Sequence, residues 1–388
     1  MFSFNLERDP SKLQTNANHL YFSGALYDGT WKSLFSSFFR IFFLLIGIIQ
    51  YILEIVLHDE DDSQLMIIEA FHWMIVFFSV LTMLISILAK SSLFLKMQAT
   101  VKSGFYDYEG NMSEEQIIAR AVANRDIQVS TSIFSACCMA ALLFSYFKAP
   151  LFMRTHSLPF PIWLPYKIKS FWSYLPSMIW MWFIAEAMVT CANSNWVALV
   201  TLAGHLIGQF KILIMAIKAI DSLAKDKDAE HKVLERIKCC VQHHLLLINF
   251  FFDLQSYFNI SLLVAAFSTG LILCTLGYLV ISPETSLAVA GSLMFVLIPE
   301  MCIAGYYCVL GQKIADVTEE IGIAIYNLEW YTMPLPVQRD LLMMLVGSKK
   351  TLQLTGFGLH EFSIKGLSEI LQASFTYFNM LMALSGGK

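Results

Sequence analysis

The sequence predicts an all-α membrane protein with seven transmembrane helices. Hydrophobic residues make up 57% of the 388 residues, charged residues make up 14%, and the mean hydropathy is +0.60. An average soluble domain carries about 25% charged residues. A helix needs about 20 mostly apolar residues to cross a hydrocarbon core roughly 30 Å thick. The segments that meet this requirement are 34–57, 65–89, 129–148, 175–200, 257–281, 287–310 and 366–385.

Basic residues predict the orientation of these helices. The N-terminal segment and loops 90–128, 208–256 and 311–364 hold nineteen Lys and Arg residues, against five in the alternate segments. Because cytoplasmic loops carry an excess of Lys and Arg, the N-terminus is expected in the cytoplasm and the C-terminus outside the cell. This orientation disfavours a G-protein-coupled receptor, which also has seven spans but the reverse orientation.

Two loops have informative patterns. In 208–256, apolar residues recur at helical spacing among charges, so the fourth and fifth spans are expected to continue well beyond the bilayer as helices. The external loop 149–174 carries four prolines, and Pro176 follows just beyond it; prolines oppose helix and favour extended backbone. That loop is either a structured cap over the outer surface or a plain connector.

The last span, "LSEILQASFTYFNMLMAL", is unusual because polar residues interrupt it. At about 100° per residue, most of these polar residues fall within about 60° of Thr376 and form one stripe. The stripe contains Glu369, Gln372, Thr376, Asn379, Met380 and Ala383. Polar groups at bilayer depth need water or a partner, so the stripe predicts either a pore lining or hydrogen bonds between helices.

Other chemistries have weaker support. Cys239 with His243 and Cys240 with His244 have a spacing that can bind a metal, but no second cluster accompanies them. The chain has no nucleotide-binding glycine loop and no nucleophile–base constellation, so we expect no enzyme activity, metal, cofactor or nucleic-acid partner.

A secondary transporter is the alternative function. Glu186 in the fourth span and Glu300, beside Pro299, in the sixth are intramembrane carboxylates. A proline-broken helix that carries a charge is typical of transporter sites, although the chain shows no internal repeat.

The C-terminal part resembles the insect odorant receptor family. The resemblance rests on "YYCVLGQKIADVTEEIGIAIYNLEWYTMP" and continues through "RDLLMMLVGSKKTLQLTGFGLHEFSIKGLSEILQASFTYFNML". Thr318 and Thr376 replace the serine usual in the family, and both keep a hydroxyl. The segment 208–256 lacks the long insertion of the family's co-receptor, so the chain resembles an odorant-binding tuning subunit.

The resemblance implies a ligand-gated, non-selective cation channel in the plasma membrane of a sensory neuron dendrite. The expected partners are membrane lipid, a co-receptor of the same family in a heterotetramer, and a small volatile ligand such as an ester, alcohol or terpenoid. It divides the chain into a cytoplasmic N-terminal segment (1–33), six transmembrane helices with a ligand pocket in their outer half (34–310), a cytoplasmic helical anchor and assembly region (311–364) and a pore-lining seventh helix (365–388).

The resemblance also implies roles for particular residues. The expected ligand-binding residues are Phe71, His72, Ile75, Phe78, Met139, Leu142, Phe144, Ser145, Met178, Met181, Trp182, Ala185, Leu271, Cys274, Thr275 and Tyr278. The expected pore and gate residues are Met380, Leu384, Thr376, Asn379, Gln372 and Glu369, with Met380 at the apolar gate position. The expected assembly residues are Tyr326, Trp330 and Tyr331.

Overall fold

The part of the chain that the structure describes is almost entirely helical. A computed structural model describes residues 30–57, 64–106, 108, 112–148, 158–168, 170–224, 230–282, 285 and 287–385. Most of the predicted N-terminal segment, 1–29, lies outside the described residues. The helices are α1 Trp31–Val56, α2 Gln64–Ala89, α3 Ser91–Lys102, α4 Glu114–Lys148, α5 Phe171–Lys218, α6 Ile220–Ala224, α7 Glu230–Ile281, α8 Leu287–Tyr326, α9 Leu335–Ser348 and α10 Ile364–Ser385.

Each predicted span lies in one long helix. In order these are α1, α2, α4, α5, α7, α8 and α10, and only Leu57 falls beyond the end of its helix. Five helices of the described chain are long and apolar enough to cross a membrane by length and composition, and α4 and α10 are outside this group. These five are Trp31–Val56, Leu65–Ala89, Phe171–Leu223, His231–Ile281 and Leu293–Tyr326.

Two helices are much longer than a bilayer is thick. With 48 and 52 residues, α5 and α7 extend over roughly 72 and 78 Å at 1.5 Å per residue. A hydrocarbon core is about 30 Å thick, so each helix has more than half of its length left over. The predicted extension of both helices is therefore confirmed by their lengths.

Helix α5 is at the centre of the bundle. It packs against α1, α2, α4, α7 and α8, and residues such as Leu206, Phe210 and Leu213 are fully buried. A helix that is apolar on every side is typical of such a central position. The outer helix α1 instead exposes an apolar face that includes Phe35, Phe38 and Ile49, as expected of a surface that meets lipid.

Small residues bring α4 and α5 close together. A Cβ atom at Gly204 would lie 2.5 Å from Ile127 Cγ1, and one at Gly208 would lie 2.8 Å from Ala123 Cβ. The two glycines are four residues apart and therefore lie on one face of α5, in the spacing that lets membrane helices approach closely. This contact fixes α4 against the central helix.

The chain after α8 packs against α7 and α8. A 3-10 turn, Trp330–Thr332, leads into α9, which packs against both helices through Val337, Leu341 and Met344. A two-stranded antiparallel hairpin follows, β1 Thr355–Gly356 with β2 His360–Glu361. The hairpin leads directly into α10, which also packs against α7 and α8.

We predict that Gly204→Ala destabilises the fold. Alanine normally favours a helix over glycine by about 1 kcal/mol, but here the overpacking against Ile127 costs about 1–3 kcal/mol. The melting temperature of the purified protein in nanodiscs is the measurement. Gly305→Ala is the matched control, because a Cβ at Gly305 meets nothing within 4 Å. A Gly204→Ala variant that is as stable as Gly305→Ala would contradict the close packing.

Candidate functional site

A small apolar cavity lies where α1, α2 and α5 meet residues 158–168. Its wall is formed by Tyr51, Trp73, Phe77, Phe160, Ile162, Met181, Ile184, Ala185 and Met188. The lining is aromatic and aliphatic, and Tyr51 and Trp73 are the lining residues whose side chains carry an O–H or N–H group. Ligand pockets are typically lined by apolar side chains with few polar groups. The cavity is therefore suited to a small, mostly apolar molecule.

Helical spacing positions most of the cavity wall. On α2, Trp73 and Phe77 are four residues apart and share one face. On α5, the lining residues at 181, 184, 185 and 188 follow the same three- and four-residue spacing. Both walls are thus single helix faces, held apart by the packing of α2 and α5 against α1 and α7.

The described part of the loop 149–174, residues 158–168, supplies the remaining side of the cavity. Phe160 and Ile162 are buried, and the ring of Phe160 meets that of Trp73 edge-on at 4.6 Å between centroids. Alternate residues of an extended segment point the same way, so the proline-rich sequence aims both side chains at the bundle. The described part of this loop therefore forms one wall of the cavity.

A side-chain amide of α1 holds that loop in place. Gln50 Nε2 donates to the carbonyl of Trp163 at 3.1 Å, and Gln50 Oε1 accepts from Trp180 Nε1 at 3.1 Å. On the other side of the loop, the hydroxyls of Tyr166 and Ser177 are 2.8 Å apart. The loop is therefore tied to α1 and α5.

The expected ligand residues are distributed over the bundle. Met181 and Ala185 line the cavity. His72, Leu142, Met178, Cys274, Thr275 and Tyr278 are buried elsewhere, Ile75 and Trp182 are half-buried, and Phe71, Phe78, Met139 and Leu271 are exposed. The side chains of Phe144 and Ser145 lie outside those that the structure describes. The other expected ligand residues do not line this cavity, and a ligand role for them stays a prediction.

The sequence does not predict which face of α2 turns toward the rest of the protein. Phe71 and Phe78, seven residues apart, share the exposed face, whereas Trp73 and Phe77 share the buried one. Because α2 is apolar on every side, hydropathy does not distinguish the two faces. Tyr51 lines the cavity but was not among the expected ligand residues. Its neighbour Gln50 could have indicated it, because an amide within an apolar span indicates a face turned toward the protein.

A polar contact joins the cavity wall to α7. His72 Nδ1 lies 2.9 Å from Thr275 Oγ1, and both residues are buried. The Thr275 hydroxyl is within 3.0 Å of the Leu271 carbonyl, to which it donates. The Thr275 oxygen then accepts from the imidazole Nδ1–H. His72 stands next to Trp73 in the sequence, so this bond fixes the wall of the cavity to α7.

Glu186 forms an ion pair with Arg40, which joins α5 to α1. Most of both side chains is buried, with 28% of Glu186 and 13% of Arg40 exposed. Charged residues within spans commonly pair with one another in this way. The pair gives Glu186 a structural role, whereas the alternative transporter function needs it as a transport site. Glu300 is half-buried on α8, after Pro299.

The Cys–His segment of α7 contacts an aromatic residue. Among the described residues, no three His, Cys, Asp or Glu side chains are arranged to hold a metal ion. His243 Nδ1 instead lies 2.8 Å from the hydroxyl of Tyr108, whose pKa is raised above its ordinary value by burial. The guanidinium of Arg236 lies 5.4 Å from the centre of the Tyr108 ring.

The polar stripe of α10 faces away from the rest of the subunit. Glu369, Gln372, Thr376, Asn379 and Met380 are exposed, and the side chain of Leu384 lies outside those described. The opposite face contacts α7 and α8: Ile370 and Ser374 are buried, and Phe378 packs beside Gly277. The stripe is therefore available to water or to a neighbouring subunit.

The expected assembly residues are also exposed. Tyr326, Trp330 and Tyr331 lie on the turn between α8 and α9, and Leu335 and Met343 extend this surface along α9. Isolated exposed apolar side chains need no explanation, but neighbouring ones are typical of interaction surfaces.

A sequence model of the 7tm odorant receptor family matches residues 63–375, which is most of the chain. The chain belongs to the 7tm odorant receptor family. It is thus a multi-pass membrane protein of a receptor family, and the expectation that it is not an enzyme is confirmed by its membership.

Curated relatives of this odorant receptor are insect proteins. Odorant receptor 85b of Drosophila melanogaster is 23% identical over 58% of this chain and 57% of its own length. Odorant receptor 10 of Aedes albopictus is 21% identical over 84% of this chain and 86% of its own length. The match with 85b and with similar Drosophila receptors spans only about three fifths of those proteins. These relatives are named odorant receptors and not co-receptors, as expected for a tuning subunit.

A solved structure has the same fold. The olfactory receptor OR5 of Machilis hrabei, in complex with eugenol, superposes with a TM-score of 0.81 at 14% identity and covers 97% of this chain and 98% of that one. This likeness confirms the predicted all-α, seven-helix membrane fold.

We predict that Arg40→Met strongly destabilises the receptor. Leaving one charge of a buried pair without its partner costs about 3–5 kcal/mol. The double variant Arg40→Met, Glu186→Met should recover most of the loss, because two apolar side chains can replace a buried pair. Melting temperatures of the three variants and the wild type in nanodiscs test this. A single variant as stable as the double one would show that the pair contributes nothing.

Proposed function

We propose that this odorant receptor is the ligand-binding subunit of a heteromeric, ligand-gated, non-selective cation channel. In this proposal a small volatile molecule enters the cavity between α1, α2 and α5, and a pore lined by α10 opens. The co-receptor of the family supplies the remaining subunits of a tetramer in the plasma membrane of a sensory neuron dendrite. The observation that carries the proposal is the combination of an apolar cavity with a polar helix face that no other described part of the chain covers.

The exposed stripe of α10 supports the pore. Polar side chains in a span are costly in lipid, so an uncovered row of them needs water or a partner chain. In a tetramer, four copies of α10 around one axis would supply both. Met380 would form the apolar constriction, with Leu384 near it, and Gln372 and Glu369 would line the deeper part.

The charge distribution supports the orientation. With the N-terminus inside, residues 311–364 lie in the cytoplasm and the cavity opens toward the outside. The aromatic surface of Tyr326, Trp330 and Tyr331 would then meet a neighbouring subunit in the cytoplasm. The apolar outer face of α1 would meet membrane lipid.

The cavity supports a mostly apolar ligand with one oxygen. The indole Nε1–H of Trp73 is buried and has no hydrogen-bond partner among the residues that the structure describes. A buried donor without an acceptor is costly, and an ester, alcohol or terpenoid oxygen would satisfy it. Eugenol, which the Machilis receptor binds, carries such oxygens and is a suitable first probe.

The test is whole-cell current in cells that express this chain with and without the co-receptor. The panel contains eugenol together with esters, alcohols and terpenes. We expect a non-selective cation current only when both chains are present. If the chain reaches the surface and neither condition gives current, the proposed channel function is wrong.

We predict that Trp73→Phe raises the half-maximal concentration of oxygenated agonists about 2- to 10-fold, because one hydrogen bond contributes about 0.5–1.5 kcal/mol. Agonists without oxygen should keep their potency. Trp172→Phe is the matched control, since it makes the same change on an exposed side chain. Equal shifts for both agonist classes would mean that the indole N–H binds no ligand oxygen.

A further inference from the structure

We propose that the side-chain amides of Gln255 and Asn259 on α7 are positioning residues that couple the cavity wall to α10. This inference rests on the proposed channel function, and it assigns a path by which ligand binding reaches the pore helix. We call the two side chains, together with the hairpin residues 355–357 that they hold, the amide clamp.

Gln255 pairs with the hairpin as a third strand would. Its Oε1 accepts from the Thr355 backbone N–H at 2.9 Å, and its Nε2 donates to the carbonyl of the same residue. Nε2 also donates to Asn259 Oδ1 at 3.2 Å. One side chain therefore satisfies both backbone groups of β1 that face α7, and it aligns the next amide of the clamp.

Asn259 holds the turn of the hairpin. Its Oδ1 accepts from the Phe357 backbone N–H at 2.6 Å. Phe357 and Gly358 have φ angles of 53° and 71°, in the left-handed region that a phenylalanine rarely adopts. Such a conformation costs about 1–3 kcal/mol and persists only when its surroundings fix it. The Asn259 bond is one of those constraints, so the shape of the turn depends on α7.

Close backbone packing makes this attachment rigid. A Cβ atom at Gly356 would lie 2.8 Å from Leu263 Cα, so the hairpin rests on the backbone of α7. A Cβ atom at Gly366, in the first turn of α10, would clash with the Glu361 carbonyl. Because both contacts are with backbone atoms, side-chain rotation does not relieve them. The hairpin links α7 to the start of α10 with little slack.

The other end of the path is the contact between α2 and α7. The wall residues Trp73 and Phe77 are on α2, whose His72 is bonded to Thr275 of α7. Just beyond the far end of α2, Lys90 Nζ donates to the carbonyl of Ser256, the residue after Gln255. The cavity wall and the amide clamp are thus attached to the same helix, α7, and α2 with the residue that follows it contacts α7 at both places.

The path has a clear physical consequence. A ligand that displaces α2 also displaces α7, and the amide clamp passes that displacement to the hairpin and then to α10. Without the clamp, the hairpin would retain its own strand pairing and its chain connections but lose its polar attachment to α7. Ligand binding would remain, and the opening of the pore would follow it less often.

The experiment is single-channel recording from cells that express each variant with the co-receptor. The agonist is the most effective compound of the panel that starts with eugenol, at saturating concentration. In Gln255→Leu we expect the open probability to fall about fivefold or more, the lower end of typical coupling between sites, with unchanged unitary conductance. A merely structural defect lowers the number of channels but leaves the open probability of each unchanged.

Three variants complete the design. Asn259→Asp keeps the acceptor for Phe357 N–H and removes the Asn259-Ile-Ser glycosylation sequon, so it should keep most of the open probability. Gln312→Leu makes the same change on a glutamine whose amide donates to Asp316 within α8, and it should behave as wild type. If Gln255→Leu does not reach the surface, Gln255→Glu replaces it, because it keeps the acceptor and loses the donor.

The outcomes separate the two proposals. If the wild type conducts and the Gln255 variants have a normal open probability, the coupling role is overturned and the channel function stands. No current from the wild type with any agonist of the panel would overturn both. A loss in Gln255→Leu that Gln312→Leu reproduces would also overturn the assignment, since the effect would not depend on the clamp.

Discussion

The need to satisfy polar groups at bilayer depth orders this structure. Within the bundle, Arg40 pairs with Glu186, His72 bonds Thr275, and Gln50 bridges α1, α5 and the external loop. Each of these contacts joins at least two elements of the structure. The contacts that offset the free-energy cost of burying polar groups therefore also fix the arrangement of the helices. The stripe of α10 differs because nothing in the described subunit covers it. Its polar groups are thus left for water or another chain to satisfy.

The cavity persists because its walls are held from behind. Protein interiors are normally close-packed, so even a small cavity needs rigid borders. Phe77 packs its ring over Gly47 of α1, where a Cβ would lie 2.7 Å from the ring, and this contact keeps the ring from turning into the space. Phe160 is held against Trp73, and its loop is tied down by Gln50. The cavity is therefore a consequence of helix packing and loop attachment together.

The sequence predicts where the helices lie along the chain, but it does not predict how each helix is rotated about its own axis. Segment length and hydropathy predicted all seven spans, and helical spacing among charges predicted the extensions of α5 and α7. On α5, the expected residues Met181 and Ala185 line the cavity. On α2, the cavity is lined by Trp73 and Phe77, whereas the expected residues Phe71 and Phe78 do not line it. An apolar span in an apolar solvent carries no amphipathic signal, so the face that meets the protein is set by long-range packing. The Gln255–Thr355 contact, 100 residues apart, is equally invisible to local pattern.

The stiffness of α7 matters for any mechanism that links the cavity to α10. Helices α5 and α8 contain Pro176 and Pro299, each of which removes a backbone hydrogen bond and allows a bend. Helix α7 runs for 52 residues without a proline and is bonded to α2 near both Thr275 and Ser256. A continuous hydrogen-bonded helix moves as a rod, so displacement at one attachment appears at the other. The hairpin is attached to this unbroken helix. Because α7 contains no proline at which it could bend, a movement of the cavity wall reaches the hairpin and α10 with little loss.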